Sequence, residues 1–430
     1  MTTNDRSIRA SASRRDILKS TSAIIGSAAA LSFAPRIARA QSKRIKIGLV
    51  TPTTGPLAFF AECDTYVIPQ FRQAVANGIQ VGGATYDVEL IVKDSQSNPN
   101  RASSVASDLI LNDKVDLMLA AHTPETTNPV ADQCEINGVP CINTDAPWQS
   151  WFFPRHGDPA KGFKWTYLFF FGVEQIGAMF LDVFAGVPTN KTVAMLYAND
   201  TDGNALGDAK TGIPPMIAKG GYKLIDPGRF DPSIENFFTQ IQAFKSGGAE
   251  VYTSALDPPV FINFWTQAAQ QGWKPKIAVP GKSIEFPPAI KALGPLAKNL
   301  CIEVWWSPNH PFKSHMTGQT SAELAADYTA KTGKPWYMVL GYKHALFEVA
   351  TDVLKRAKAV EPDAIRESIL ATEYESIIGP LQWKKGPVPS VCTTPIVGGQ
   401  YQEAGNGFDL KIINNHEYPI IKTTGTQLPI

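Results

Sequence analysis

Cysteine is scarce in this chain: five in 430 residues, at Cys63, Cys134, Cys141, Cys301 and Cys392. No two form a C-x-x-C pair, which excludes a zinc ribbon and a thioredoxin-type motif. The odd count leaves at least one thiol free or intermolecular even in an oxidising compartment. Cys134–Cys141 and Cys301–Cys392 are the pairs left open to bonding, subject to the Cα separation a disulfide needs. An excess of one charge is lacking too, with 40 Lys and Arg against 39 Asp and Glu. No basic stripe interleaves with aromatics, so nucleic acid is not an expected partner. Beyond the first forty residues no run approaches 18 uninterrupted apolar residues, so that part of the chain is expected to be soluble.

Motifs for covalent and metal chemistry are also missing. There is no G-x-S-x-G elbow and no H-E-x-x-H helix. His310 and His315 stand five apart in a Pro-rich loop, the wrong spacing for two ligands on one helix face. Gly281-Lys282-Ser283 ends like a phosphate loop, but G-x-x-x-x-G-K-[ST] needs a glycine at 276, where Lys276 stands. Pro287-Pro288 follow too soon for a long, well-formed helix. No cofactor or metal is expected, and a lysine at a strand tip needs another account.

What is present falls into two kinds of text. Ser13-Arg14-Arg15-Asp16-Ile17-Leu18-Lys19 precedes the small, apolar run Ser20–Phe33, followed by Ala38-Arg39-Ala40, an A-x-A cleavage signal. This resembles a twin-arginine export leader over residues 1–40, with Ile17 where that class favours Phe; the alternative is an N-terminal membrane anchor. Cleavage after Ala40 starts the mature chain at Gln41. The leader holds seven Lys/Arg and two acids, so the remainder carries 33 basic and 37 acidic residues, a net −4 where the whole chain reads +1.

From Lys43 onward strand and helix patterns alternate. Residues 44–50, 86–95, 115–121 and 139–144 read as strands, with helices over 66–78, 98–114 and 128–138 between them. The rhythm restarts at 191–200 and runs to the strand "PKIAVPG" at 275–281. Residues beyond 300 are too few for a third lobe. Strands returning through helices specify mostly parallel sheets covered on both faces, here two doubly wound α/β lobes. Such sheets take ligands at the carboxyl ends of their strands, and two facing sheets make a cleft with a hinge.

The ordered set "IKIGLVTPTTGPLAFFAE", "YDVELIVKDSQSNPNRASSVASDLI", "TNPVADQCEINGVPCINT", "KTVAMLYANDTDGNALGDA", "GYKHALFEVATDVLKRA" and "IIGPLQW" resembles the periplasmic solute-binding proteins of branched-chain amino acid-type ABC importers. It covers residues 43 to 385 with matching spacing. The resemblance implies the type I bilobal fold, a monomer, and a three-segment hinge near 165–172, 299–308 and 377–383. It divides the chain into a first lobe of 43–166 plus 305–378 and a second of 167–304 plus 379–430. It also implies ABC transporter permease subunits as membrane partners.

The same resemblance places the ligand on loop tips of both lobes. In the first lobe these carry Phe59 and Phe60; His122, Thr123, Thr126 and Thr127; and Asp145, Ala146 and Trp148. In the second they carry Asp202, Leu256 or Asp257, and Lys282. Where amino-acid binders of this kind present an acid to the ligand ammonium, this chain has Lys282. Like charges repel there, by on the order of 1 kcal/mol at contact in water and more in a closed cleft. The ligand is therefore expected to be a small organic molecule bearing a carboxylate, aromatic or amino-acid-like, and not a simple branched-chain amino acid. Phe59, Phe60, Trp148 and Trp151 are candidates for an apolar wall.

Each candidate has a plainer reading. Lys282 could be a solvated loop lysine, or the internal partner of Asp257 or Glu285. Thr126 and Thr127 could only cap the helix that follows, and Trp305-Trp306 is placed as hinge packing. A sensing subunit for a signalling protein is the alternative function, ahead of a periplasmic hydrolase.

Overall fold

The computed structural model describes residues 43–430. The leader expected over 1–40 and its cleavage site lie outside the described residues.

The first sheet is built from β1 (Arg44–Thr51), β2 (Ile79–Val81), β3 (Ala84–Asp94), β4 (Leu117–Ala121), β5 (Cys141–Thr144) and β6 (Thr166–Phe169). All its pairings are parallel except the β2–β3 hairpin at one edge. The central strand β4, Leu-Met-Leu-Ala-Ala, is buried at every position, as a parallel strand covered on both faces must be. Helices Pro99–Asp108 and Pro124–Asn137 pack together beside it. Asn98 starts the former, its side chain accepting from the Arg101 N–H at 3.0 Å, with Pro99 in the first turn, where no N–H is needed.

The second sheet is smaller and wholly parallel: β7 (Thr192–Leu196), β8 (Lys223–Ile225), β9 (Val251–Ser254) and β10 (Ile277–Val279), in the order β10-β9-β7-β8. The remaining strands are β11 (Cys301–Val304), β12 (Tyr374–Ser376), β13 (Gly379–Leu381), β14 (Val391–Cys392), β15 (Val397–Ala404) and β16 (Gly407–Asn414). The last two form a hairpin, and β15 pairs antiparallel with β11. This layer belongs to the second lobe, where the Tyr401 hydroxyl donates to the Ile284 carbonyl at 2.9 Å.

Val391–Cys392 pairs in parallel with β6 and completes the edge of the first sheet. Two expectations change as a result. The chain passes from the first sheet to the second-lobe elements after β6, at 170–172, and returns after β11. The third crossing falls at 393–396, between β14 and β15, not near 377–383. Residues 377–383 form part of the first lobe, where β13 pairs with β12 and the Trp383 indole N–H donates to the Leu168 carbonyl at 3.1 Å. Residues 167–169 and 379–392 therefore sit with the first sheet, whereas the bounds implied by the resemblance put them in the second lobe. A two-residue strand leaves almost no pattern to read.

Helix Val339–Arg356 is buried along most of its length against the first sheet. The lysine in its buried stretch, Lys343, must therefore be paired. Lys343 Nζ lies 2.9 Å from Asp64 Oδ1, and Thr51 Oγ1 donates to Asp64 Oδ2 at 2.8 Å. Gly341 on this helix admits Trp306, since a Cβ there would run into the indole. All five cysteines are buried, free thiols. Cys301 and Cys392 stand on β11 and β14, in different lobes.

Candidate ligand-binding site

The carboxyl ends of the first-lobe strands lead into strained backbone. His122, Thr123 and Asp145 all have positive φ, at 75°, 63° and 61°. For β-branched Thr123 this is a true outlier, and such residues persist only where surrounding contacts over-determine them. Those contacts are present. The Thr123 N–H donates to the Asp145 carbonyl at 3.0 Å, and the Thr123 carbonyl accepts from Thr127 N–H and Oγ1, both at 3.0 Å. Thr123 precedes helix Pro124–Asn137, and its own Oγ1 is buried without a partner. Behind it, His122 Nδ1 lies 2.7 Å from Asp145 Oδ2. Burial holds His122 well below its ordinary pKa and pushes Asp145 up to about 8, so neutral forms meet here near pH 7.

The facing wall comes from the second lobe. Lys282 follows β10 in a turn that only glycine can open. Gly281 has φ 59°, and a Cβ on it would sit 2.7 Å from the Ser254 carbonyl. Ser283 Oγ lies 2.7 Å from the carbonyls of both Leu256 and Pro280, so its hydroxyl is used internally. The G-K-S letters are thus a strand-end turn. Lys282 Nζ stands 3.1 Å from Asp202 Oδ2 and 3.2 Å from Asp257 Oδ1. Burial pulls the ammonium pKa down, but Asp202, Asp257, Asp200 and Glu125 reverse this and leave it well above its ordinary value. Asp200 caps the short helix carrying Asp202, accepting from Gly203 N–H at 2.6 Å.

Between these walls is a cavity of about 50 Å³. Thr123, Asp145 and Phe60 line it from the first lobe, Asp202, Lys282 and Glu285 from the second, and Phe170, Phe171 and Trp305 from the hinge. The lobes touch over it, with the Phe286 ring centroid 4.4 Å from that of Phe59 and 4.8 Å from that of Phe60. Larger grooves exist elsewhere, including one of about 450 Å³ that Glu285 also borders, past Trp336 and Phe408. The smaller cavity is the candidate site because strand ends of both sheets converge on it.

Of the residues expected at the ligand, Phe60, Thr123, Asp145, Asp202 and Lys282 line this cavity. Asp257 stands one contact back, holding Lys282, while Phe59 braces Phe60 and Phe286. His122 and Ala146 are fully buried behind the wall. Thr127 spends its hydroxyl on the Thr123 carbonyl, and Thr126 is buried with its Oγ1 unpartnered. Trp148 donates its indole N–H to Glu174 at 2.7 Å and packs over the hinge at Gly172. Trp151 is buried against Arg155, 4.4 Å from ring to guanidinium. Trp305 borders the cavity, whereas Trp306 packs against Trp336. Glu303 and Phe170–Phe171 went unnoticed as lining residues, because no local motif marks a hinge strand that faces a cleft. A carboxylate inside the apolar run Cys301–Trp306 was the available signal.

A model of periplasmic binding proteins matches residues 44–388. The chain belongs to the periplasmic binding protein family. Among relatives of this family, a Leu/Ile/Val-binding protein homolog from Brucella melitensis is 24% identical over 212 residues, or 48% of this chain and 53% of the relative. The aligned part thus spans about half the length of that curated relative. Solved structures share the bilobal type I fold. An ABC transporter solute-binding protein from Rhodopseudomonas palustris, in complex with 3,4-dihydroxybenzoic acid, has TM-score 0.68 and 19% identity, covering 86% of this chain and 96% of its own. A branched-chain amino acid transporter substrate-binding protein from Streptococcus pneumoniae, in complex with isoleucine, has TM-score 0.66 and 16% identity, covering 86% and 100%.

Proposed function

We propose that this protein is the periplasmic receptor of an ABC importer, exported through its twin-arginine leader, and that it closes on a small carboxylate-bearing molecule other than a simple branched-chain amino acid. One observation carries the reading. A cavity at the meeting of two lobes is walled by both and by the hinge, with the unpartnered Thr123 hydroxyl before the N-terminus of a 14-residue helix. The Thr126 and Thr127 N–H groups turn back to the Thr123 carbonyl, so the helix dipole is what favours an anion at this end. The ligands named for the two solved relatives, isoleucine and dihydroxybenzoic acid, both carry a carboxylate. Phe60, Phe170, Phe171 and Trp305 supply an apolar wall for the rest of the molecule.

The mechanism is a shift between open and closed forms. A ligand touching both lobes stabilises the closed form through contacts that the open form lacks, and the permease reads the closed surface. Lys282 already faces Asp202 and Asp257, so it offers the ligand its remaining N–H and not an unmatched charge. The lobe boundaries that fit this hinge are 43–170 with 305–394, and 172–304 with 395–430. A thermal-shift screen of the purified exported protein over aromatic acids, amino acids, dicarboxylates and amides tests the reading, since ligand raises stability by mass action. Stabilisation by leucine alone overturns it, as does stabilisation by amides but no carboxylate.

A further inference from the structure

Resting on the reading above, we infer that Glu303 and Glu285 form a second recognition point in the cavity, one that selects ligands carrying an N–H or O–H donor away from their carboxylate. Glu303 lies on β11, just before the hinge, and is 6% exposed; Glu285 is 7% exposed, and both line the cavity. Glu303 Oε2 is buried without a hydrogen-bond partner. A buried acceptor left unsatisfied loses its water without compensation unless something donates to it. Asp202 Oδ1, in the same lining, is also buried and unpartnered. The only lysine or arginine in this lining is Lys282, and two aspartates already hold it. The unpartnered donors of the lining, the Thr123 hydroxyl and the Trp305 indole N–H, do not reach Glu303 Oε2 or Asp202 Oδ1, and a ligand that donates there satisfies what the protein leaves open.

Glu285, Asp145, Lys282 and Asp202 line the cavity with Glu303, and Glu285, Tyr197 and Tyr401 are close enough to feel its charge. Burial pushes Glu303 up to about 7, and burial together with Glu303 holds Glu285 well above the usual carboxylate range. A cationic donor such as an ammonium makes these acids ionise, so protons leave on binding and affinity rises between pH 6 and 8. A neutral hydroxyl donor binds without that proton release. The two sources of donor are thereby distinguishable.

The test uses matched probes on the exported protein: leucine against 4-methylpentanoate, 4-hydroxybenzoate against benzoate, and 3-methylbutylamine as a cation without a carboxylate. Calorimetry in two buffers of different ionisation enthalpy counts protons. In at least one pair the donor-bearing member should bind at least tenfold tighter. Glu303→Gln should cut that preference by about tenfold while leaving the donor-less member within threefold, an asymmetry that mere loss of packing does not produce. Glu285→Gln should act in the same direction and serves if the first variant does not fold. Equal affinities within both pairs, or a preference that survives both variants, overturn the inference and leave the receptor reading intact. Binding of the amine but of no carboxylate removes the carboxylate half of the receptor reading and keeps the donor site. If no probe binds, both fall.

Discussion

Lys282 and Asp202 lie 80 positions apart in the chain and 3.1 Å apart in space, joining the end of β10 to the short helix after β7 across the second-lobe wall of the cavity. With Asp257 at 3.2 Å the lysine is a cross-brace as well as a lining residue. It neutralises two acids that would otherwise crowd the cleft.

Lys282→Glu should therefore weaken a carboxylate ligand by at least roughly tenfold, or about 1.4 kcal/mol. Calorimetry with the best carboxylate from the thermal screen measures it. Unchanged affinity would remove Lys282 from the site.

Thr123 is held at φ 63°. Thr123→Gly should relieve backbone strain of order 1–3 kcal/mol, so the protein is expected to melt no lower than wild type. The lost hydroxyl should at the same time reduce carboxylate affinity. A lower melting temperature together with full affinity would contradict both halves.

Lys343 is fully buried beside Asp64. Lys343→Met leaves an unpaired buried carboxylate and should cost about 3–5 kcal/mol in urea unfolding. Adding Asp64→Asn should recover part of that loss. A single variant as stable as wild type would show that the pair is not the constraint its burial implies.

Stability should fall as pH rises from 6.5 to 8. Burial raises Asp145 to about 8 and Glu303 and Glu348 to about 7. The native state thus holds protons that the unfolded chain has already released, and this contribution is lost as pH climbs through those values. His310 and His344, lowered to about 3 by burial, act oppositely, but at the unfolded histidine value near 6.5 half of the unfolded protons are already gone and the rest leave within about one pH unit, so the acids dominate the slope toward pH 8. Urea midpoints at pH 6.5, 7 and 8 measure the slope. A flat or rising series would place the acids in their ionised forms, and Asp145→Asn should flatten it in part.

The alternation of apolar strands with capped helices by itself determined two doubly wound sheets. Parallel strands buried on both faces must be written in nearly continuous apolar residues, as at Leu117–Ala121. The family resemblance, and not the strand pattern, pointed to Thr123, Asp145, Asp202 and Lys282, which line one cavity. Only tertiary structure decided which of them meet. That Lys282 is shared by Asp202 and Asp257, that Glu303 lines the cavity with Oε2 unpartnered, and that Val391–Cys392 closes the first sheet all depend on how distant segments meet. Local pattern records whether a residue is buried, through the free energy of removing it from water. The partner it meets there depends on how two lobes and three crossings come together, and no single stretch of sequence encodes that.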